Sequence, residues 1–231
     1  MKPLLYPNIN LGNGIPIVIS SQPQPLSDTI PSSTTQPLLF PKKGVKLQYA
    51  TDFIQLCGGR EVLVGLTSTD VCERFVKLMT ASSQSSFVEL LETLGNPSVG
   101  MATVFISRAW KYEFLHVYDA LLYHFREELD SVIVWFDMFS NNQHKAMELD
   151  FDWWSNTFQS AIQQFGRTVM VLAPWNDPIP LTRAWCLWEL YCTIATGSKF
   201  EIAMSEEATK QFLEDICGGT DVEVNKMLAT T

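Results

Sequence analysis

The chain of 231 residues lacks the features that define several large classes of protein. The apolar run from Val169 to Trp175 is far too short to cross a bilayer as a helix. Basic residues are scarce and scattered: 16 Lys and Arg stand against 25 Asp and Glu, and no basic run exceeds Lys42-Lys43. The net charge of −9 argues against a nucleic-acid-binding surface. We therefore expect neither a membrane nor a nucleic acid as a partner.

Sequence signals for export, disulfide frameworks and phosphate binding are also missing. The N-terminus has no compact apolar region followed by a cleavage site, which predicts that no signal peptide is present. Cysteine is rare and odd in number, with five at irregular positions, which indicates reduced core thiols in the cytoplasm. Gly12-Asn13-Gly14 has no third glycine and no strand-turn-helix around it, so it is not a dinucleotide fingerprint.

The chain divides into three regions that differ in amino-acid composition and hydrophobic pattern. Residues 1–44 hold eight of the twelve prolines and the run Ser32-Ser33-Thr34-Thr35, which predicts a disordered leader. Residues 45–98 form a predicted helical preamble of three short helices, the first stopped by Gly58-Gly59, the second capped at Thr69-Asp70 and the third capped at Ser85-Ser86. Residues 99–231 form the main domain.

The main domain alternates between predicted strands and helices. Buried strands are expected over 102–107, 131–136, 168–173 and 199–203, each followed by a helical pattern. Strands that are apolar on both faces and alternate with helices predict an α/β fold with a doubly wound parallel sheet. The last helix, Glu206 to Ile216, precedes a weak tail without a clear fifth strand, so we expect the chain to end before the natural boundary of the domain.

The segment from Thr182 to Ile194 predicts a helix that is apolar almost all round and carries one carboxylate, Glu189. Thr182 is the expected N-cap, and Gly197 stands where a left-handed residue would end the helix. A carboxylate in apolar surroundings is costly unless it is paired. Glu189 is therefore either a structural group paired with Arg108 or Arg183, or a catalytic group.

Other polar residues are expected at the carboxyl ends of the strands, where α/β sheets bind ligands. Arg108 follows the first strand as either an anchor for a pyrophosphate or a surface residue, and Asp137 follows the second as either a ribose ligand or a loop cap. His144 and the acidic residues after it match no metal-ligand spacing, which predicts that the chain has no metal site.

Three blocks in this order resemble the TIR (Toll/interleukin-1 receptor) domain family. They are Phe105-Ile106-Ser107, Trp135-Phe136-Asp137 and Trp185-Cys186-Leu187-Trp188-Glu189-Leu190, within residues 101–204. The chain is also similar to the TIR-like N-terminal regions of protist and algal proteins with TPR repeats, often labelled kinesin-light-chain-like. Those proteins have a histidine where this chain has Arg108, and no TPR repeat is present here.

The resemblance implies a flavodoxin-like, TIR-type fold and an NAD glycohydrolase in a signalling or defence context such as innate immunity. It makes Glu189 the catalytic residue and implies that NAD is the substrate, without a cofactor. The residues expected to bind the substrate are Ser107, Arg108, Trp110, Asp137 and Trp185. The resemblance also implies a homo-oligomer through TIR–TIR contacts. Two alternatives stay open: a non-catalytic module that self-associates through the loop after the second strand, and a degenerate fragment of a TPR protein.

Overall fold

The computed structural model describes residues 40–145 and 151–217, with the side chains of 151–156 and 216–217 left out. The expected leader lies outside the described residues except for its last five positions, and so does the tail after residue 217. One mixed sheet of six strands runs through the described part, in the order β2-β1-β4-β3-β5-β6. Its strands are β1 (Lys43–Lys46), β2 (Val99–Met101), β3 (Val104–Ser107), β4 (Ile133–Trp135), β5 (Arg167–Val171) and β6 (Lys199–Ala203).

Helices cover both faces of this sheet. They are α1 (Tyr49–Leu56), α2 (Arg60–Leu63), α3 (Ser68–Val71), α4 (Lys77–Met79), α5 (Phe87–Thr93), α6 (Phe114–His124), α7 (Asp137–Ser140), α8 (Phe151–Phe165), α9 (Ala184–Ala195) and α10 (Glu206–Cys217). A π-helical turn, Cys72–Val76, joins α3 to α4, and a 3-10 turn, Ile179–Thr182, precedes α9. The prediction of an α/β chain with four strands between helices after residue 101 is confirmed.

The expectation of a purely parallel sheet is wrong at one edge. Strand β1 pairs antiparallel with both β2 and β4, whereas β4, β3, β5 and β6 run parallel to one another. The predicted preamble therefore begins with a strand inside the sheet. Gly44 permits this close pairing, because a Cβ there would lie 2.1 Å from the carbonyl oxygen of Val134.

Two apolar layers form the core, one on each face of the sheet. One layer packs α1, α5 and α6 against the strands through fully buried side chains such as Phe53 and Phe114. The other layer packs α8 and α9 and includes Phe40, whose ring stacks on Trp135 at 5.1 Å between centroids. The indole of Trp135 also donates to the carbonyl of Pro41 at 2.6 Å. The chain is therefore part of the core from residue 40 onward.

Of the two helix caps predicted in the preamble, one is confirmed by the structure and the other is displaced. Ser86 caps α5 with a reciprocal pair of hydrogen bonds to Glu89, which confirms the third predicted helix start. The second predicted start is wrong by two residues, because Thr67 rather than Thr69 forms the capping box, with Asp70 as its partner. Thr69 instead contacts the carbonyl of Trp110.

The helix α9 begins later than the sequence predicted. Thr182 is not its N-cap, since the hydroxyl of Thr182 donates to the carbonyl of Ile179 within the 3-10 turn. Arg183 occupies the N-cap position without a side-chain cap. The predicted end is confirmed: Gly197 has φ +67°, and the amides of Gly197 and Ser198 close the last turn on α9 carbonyls.

None of the helices within the described residues combines the length and the apolar character needed to cross a membrane.

Candidate functional site

The candidate site lies at the carboxyl end of β3, where the strand order of the sheet reverses. The strand after β3 in the chain, β4, lies on one side of it, and the next, β5, lies on the other. Loops that leave such a point diverge and leave a crevice between them, which is where α/β sheets bind ligands. Three segments meet at this point: the residues after β3, the start of α7 after β4, and α9 after β5.

Ser107 and Glu189 are in direct contact at this position. Ser107 is the last residue of β3 and has no exposed surface, and its hydroxyl donates to Oε2 of Glu189. Glu189 sits in the second turn of α9 and is only 6% exposed. One turn later, the hydroxyl of Thr193 donates to the backbone carbonyl of Glu189 at 2.7 Å. The buried hydrogen bond between Ser107 and Glu189 therefore links β3 to α9.

Burial raises the pKa of Glu189 to about 8. The hydrogen bond from Ser107 acts against this rise, the negative charge of Asp137 adds to it, and the positive charge of Arg108 and a hydrogen bond from Trp185 oppose it. A carboxyl with a pKa this far above its ordinary range holds its proton at neutral pH in the closed site. A perturbed pKa at a ligand-binding position is typical of a catalytic group.

A second set of contacts links the loop after β3 to the loop after β4. Asp137 accepts hydrogen bonds from Nη2 of Arg108 and from the indole of Trp110, each at 2.7 Å. It also accepts from the amide of the next residue, Met138, at the start of α7, although the N-cap position of this helix is Phe136 and has no side-chain cap. One carboxylate thus fixes two neighbouring side chains and the start of a helix.

Arg108 is a buried cation between two aromatic rings. Its guanidinium carbon lies 4.6 Å from the ring centroid of Trp110 and 4.4 Å from that of Phe136. Its side chain is 1% exposed, so the expectation that it could be a surface residue is wrong. Burial lowers its pKa, and Nε and Nη1 have no hydrogen-bond partner among the described residues.

The two structural partners expected for Glu189 do not pair with it. Arg108 forms its ion pair with Asp137, and no salt bridge between Arg183 and Glu189 is found among the described residues. The hydrogen bonds that Glu189 receives come instead from Ser107 and Trp185. The hydrogen-bond donors of Glu189 are therefore neutral groups, and Arg108 acts on it only through its charge.

Trp185 lies one turn before Glu189 and is half-buried. Its ring meets that of Phe158, from α8, edge to face at 5.4 Å between centroids. Both Trp185 and Glu189 therefore lie on the part of α9 that faces the sheet and α8. Of the predicted site residues, Ser107, Glu189 and Trp185 form one group of contacts, and Arg108, Trp110 and Asp137 form the other.

The carboxyl of Glu189 is closed off in this structure. A cavity of about 790 Å³ opens between α6 and the start of α10, and its lining includes His116, Pro174 and Glu206 but not Glu189. Because the Glu189 side chain is buried, a ligand can reach its carboxyl only if the groups around it move. Residues 146–150, which follow the loop after β4, lie outside the described part of the chain.

Phe136 is a member of the site that the sequence did not reveal. It forms the second ring against Arg108, yet in the sequence it is only the last apolar residue of a predicted strand. The signal available was its position directly before Asp137 at the carboxyl end of β4. That position alone does not show that the ring of Phe136 lies against the guanidinium of Arg108, which is 28 residues earlier in the chain.

Comparisons with protein-family models, with curated proteins and with solved structures found no match to this chain.

Proposed function

We propose that this chain is a TIR-type NAD glycohydrolase, which cleaves the bond between nicotinamide and ribose in NAD. The observation that carries the proposal is Glu189. Its carboxyl is buried at the carboxyl end of β3, receives a hydrogen bond from Ser107, and has its pKa raised to about 8 by burial. The three sequence blocks that resemble TIR domains supply Ser107, Asp137, Trp185 and Glu189 to this one region.

The strand order supports the finer fold assignment in this proposal. Taken alone, the four parallel strands lie in the order β4-β3-β5-β6, which is second, first, third and fourth along the chain. That order is the one found in flavodoxin-like, doubly wound folds. We propose that the domain is a flavodoxin-like fold of TIR type, extended at one edge by β1 and β2.

The chemistry of the reaction needs one carboxylate and few other groups. The bond between C1′ of the ribose and the pyridinium nitrogen breaks, and its electron pair neutralises the charge of the departing nicotinamide. The positive charge left on the ribose is an oxocarbenium ion, which Glu189 stabilises in its ionised form. That form is present above the raised pKa, or once the site opens and burial no longer raises the pKa. Water then adds to C1′, and its proton passes to Glu189 or to solvent. No general acid is required, because nicotinamide leaves as a neutral molecule.

The remaining residues hold the substrate and the carboxylate in place. Trp185 offers a half-buried indole one turn from Glu189, suited to a planar ring of the dinucleotide. Ser107 orients the carboxylate through its hydrogen bond. Asp137 holds Arg108 and Trp110 in place through hydrogen bonds, next to the loop after β3. We propose no metal and no cofactor, and the four described cysteines, which are free and buried, agree with a cytoplasmic location.

A second candidate function is favoured by the burial of Glu189. A carboxyl that is 6% exposed and hydrogen-bonded by its neighbours also suits a TIR module that signals by self-association without turnover. The two functions differ in whether the site opens. Only the enzyme needs a state in which NAD displaces the closed contacts around Glu189.

The test compares two substrates that differ in the leaving group alone. Purified protein is incubated at high concentration with NAD and, separately, with NADH, and free nicotinamide or dihydronicotinamide is measured by chromatography. The proposal predicts release from NAD and none from NADH, because the reduced ring carries no positive charge and is a poor leaving group. Absence of release from both substrates favours the non-catalytic module.

A further inference from the structure

Two polar contacts tie Glu189 to β3 and β5, which are neighbours in the sheet. The side chain of Glu189 accepts a hydrogen bond from Ser107, the last residue of β3. Its backbone is tied to β5 through Thr193, whose hydroxyl donates to the carbonyl of Glu189 at 2.7 Å and to Oγ1 of Thr168 at 2.9 Å. The single hydroxyl proton of Thr193 is therefore shared between the helix and the strand.

The two threonines of this contact lie in an apolar part of the core. Neither Thr168 nor Thr193 has any exposed surface. Thr168 lies opposite Phe105 in the pairing of β5 with β3, and Cys192, the neighbour of Thr193, packs in the same apolar cluster as Phe105. A buried hydroxyl is costly unless it is hydrogen-bonded. Packing alone does not require hydroxyl groups at these positions, because valine has nearly the same shape as threonine.

The helix α9 is attached to the rest of the fold more firmly after Glu189 than before it. Just after the helix, the hydroxyl of Ser198 contacts the carbonyl of Ile162 in α8 at 3.3 Å. At the other end, the N-cap position has no side-chain cap. In the first turn, the thiol of Cys186 donates to the carbonyl of Arg108 at 3.7 Å, and a thiol is a weak donor. The first turns of α9 are therefore freer to move than the turns after Glu189.

We propose that Thr168 and Thr193 are positioning residues for Glu189, which fix its backbone to β5 while its carboxyl and the first turns of α9 rearrange to admit the substrate. This inference rests on the proposed function, because it concerns the same carboxyl. The carboxyl must meet the ribose at a defined distance, and a displacement of about 1 Å can lower a rate about 100-fold. Neither threonine contacts the substrate, so neither is a catalytic residue.

The first test separates the hydroxyl of Thr193 from its shape. Thr193→Val removes the hydroxyl and keeps the shape, whereas Thr193→Ser keeps the hydroxyl and removes the methyl group. With NAD as the substrate, Thr193→Val should lower kcat at least about tenfold with little change in KM, because the carboxyl is displaced from the reacting carbon. Thr193→Ser should keep most of the parent kcat. The opposite order would show that Thr193 acts through packing alone, and would overturn the proposal.

The second test removes the partner on the strand. Thr168→Val breaks the tie to β5 but leaves the hydrogen bond of Thr193 to the carbonyl of Glu189. It should lower kcat as Thr193→Val does, and the double variant should be no slower than either, because the two hydroxyls act as one pair. Thr196→Val is the matched control, since the hydrogen bonds of its hydroxyl stay within residues 192–198. An equal loss of kcat in this control would contradict the role of the β5 contact.

A third measurement does not depend on turnover. Carboxyl-labelled glutamate reports the titration of Glu189 by carbon-13 NMR, and the Glu189→Gln variant assigns the signal. Loss of the tie to β5 should admit water to the carboxyl, so in Thr168→Val its pKa should move from about 8 toward the ordinary value of 4.5. An unchanged pKa in Thr168→Val would overturn the positioning role. A shifted pKa in a protein that releases no nicotinamide would support that role and reject the proposed function.

Discussion

The hydroxyl of Ser107 donates a hydrogen bond to the carboxyl of Glu189, which lies 82 residues further along the chain. Both groups are buried, one at the end of β3 and the other in α9. This contact joins the first and last of the three sequence blocks on which the proposed function rests.

The Ser107→Ala variant removes the strongest interaction that opposes the rise of the Glu189 pKa. We expect the pKa of Glu189 to rise further, so the pH at which NAD cleavage reaches half its maximum should move upward. The lost hydrogen bond should also lower the free energy of unfolding by about 1–3 kcal/mol. Ser140→Ala is the matched control, because Ser140 is equally buried but its hydroxyl has no partner among the described residues. An equal loss of stability in both variants would contradict this role for Ser107.

The raised pKa of Glu189 also makes stability depend on pH. Unfolded chains release the Glu189 proton near the ordinary value of 4.5, whereas the folded protein holds it until about pH 8. Since the native state binds more protons over this window, stability should fall as pH rises from about 4.5 to about 8. Urea unfolding at several pH values measures this slope. In the Glu189→Gln variant the slope should be smaller, and an identical slope would show that Glu189 titrates normally.

Two Arg–Asp pairs, one buried and one exposed, should differ strongly in their contribution to stability, even though the exposed pair has two hydrogen bonds and the buried pair has one. Asp137→Ala leaves the buried Arg108 cation without its partner, so we expect a loss of about 3–5 kcal/mol in the free energy of unfolding. Asp119→Ala breaks the exposed pair with Arg60, which should cost less than about 1 kcal/mol. Denaturant melts of both variants provide the comparison. Similar losses would mean that Arg108 does not depend on Asp137.

The boundary of the folded unit should fall near residue 40 rather than near residue 99. A chain that begins at Phe40 keeps the ring stacked on Trp135 and keeps β1 between β2 and β4, so it should unfold at about the same temperature as the full chain. A chain that begins at Leu47 lacks β1 and should be much less stable. Calorimetry of the two chains tests this, and a stable domain starting at residue 99 would contradict it.

The parallel strands and α9 could be predicted because their signals are local. Four apolar runs alternate with helical patterns, and Gly197 ends α9 where a left-handed residue was expected. The strand β1 could not be predicted, since Lys43–Lys46 contains two lysines, one glycine and a single apolar residue. It becomes a strand only because β2 and β4 supply partners on both sides.

In the site, too, the positions of the residues could be predicted from the local sequence, whereas their contacts could not. The positions of Ser107, Asp137 and Glu189 at strand ends and on α9 follow from the order of the elements. Their partners do not, because the contact of Arg108 with Asp137 spans 29 residues and depends on which strand lies next to β3. The sequence therefore suggested Arg108 as a partner for Glu189, whereas the fold pairs it with Asp137.

The most direct test of the central claim is nicotinamide release from NAD by the parent chain and by the Glu189→Gln variant, measured side by side. Glutamine keeps the size of the side chain and a hydrogen-bonding oxygen but cannot carry the negative charge that stabilises the ribose cation. We predict release by the parent chain and a loss of at least about 100-fold in the variant, a barrier increase of about 2.7 kcal/mol. Equal release by both proteins, or none by the parent chain at high concentration, would contradict the assignment of Glu189 as the catalytic residue.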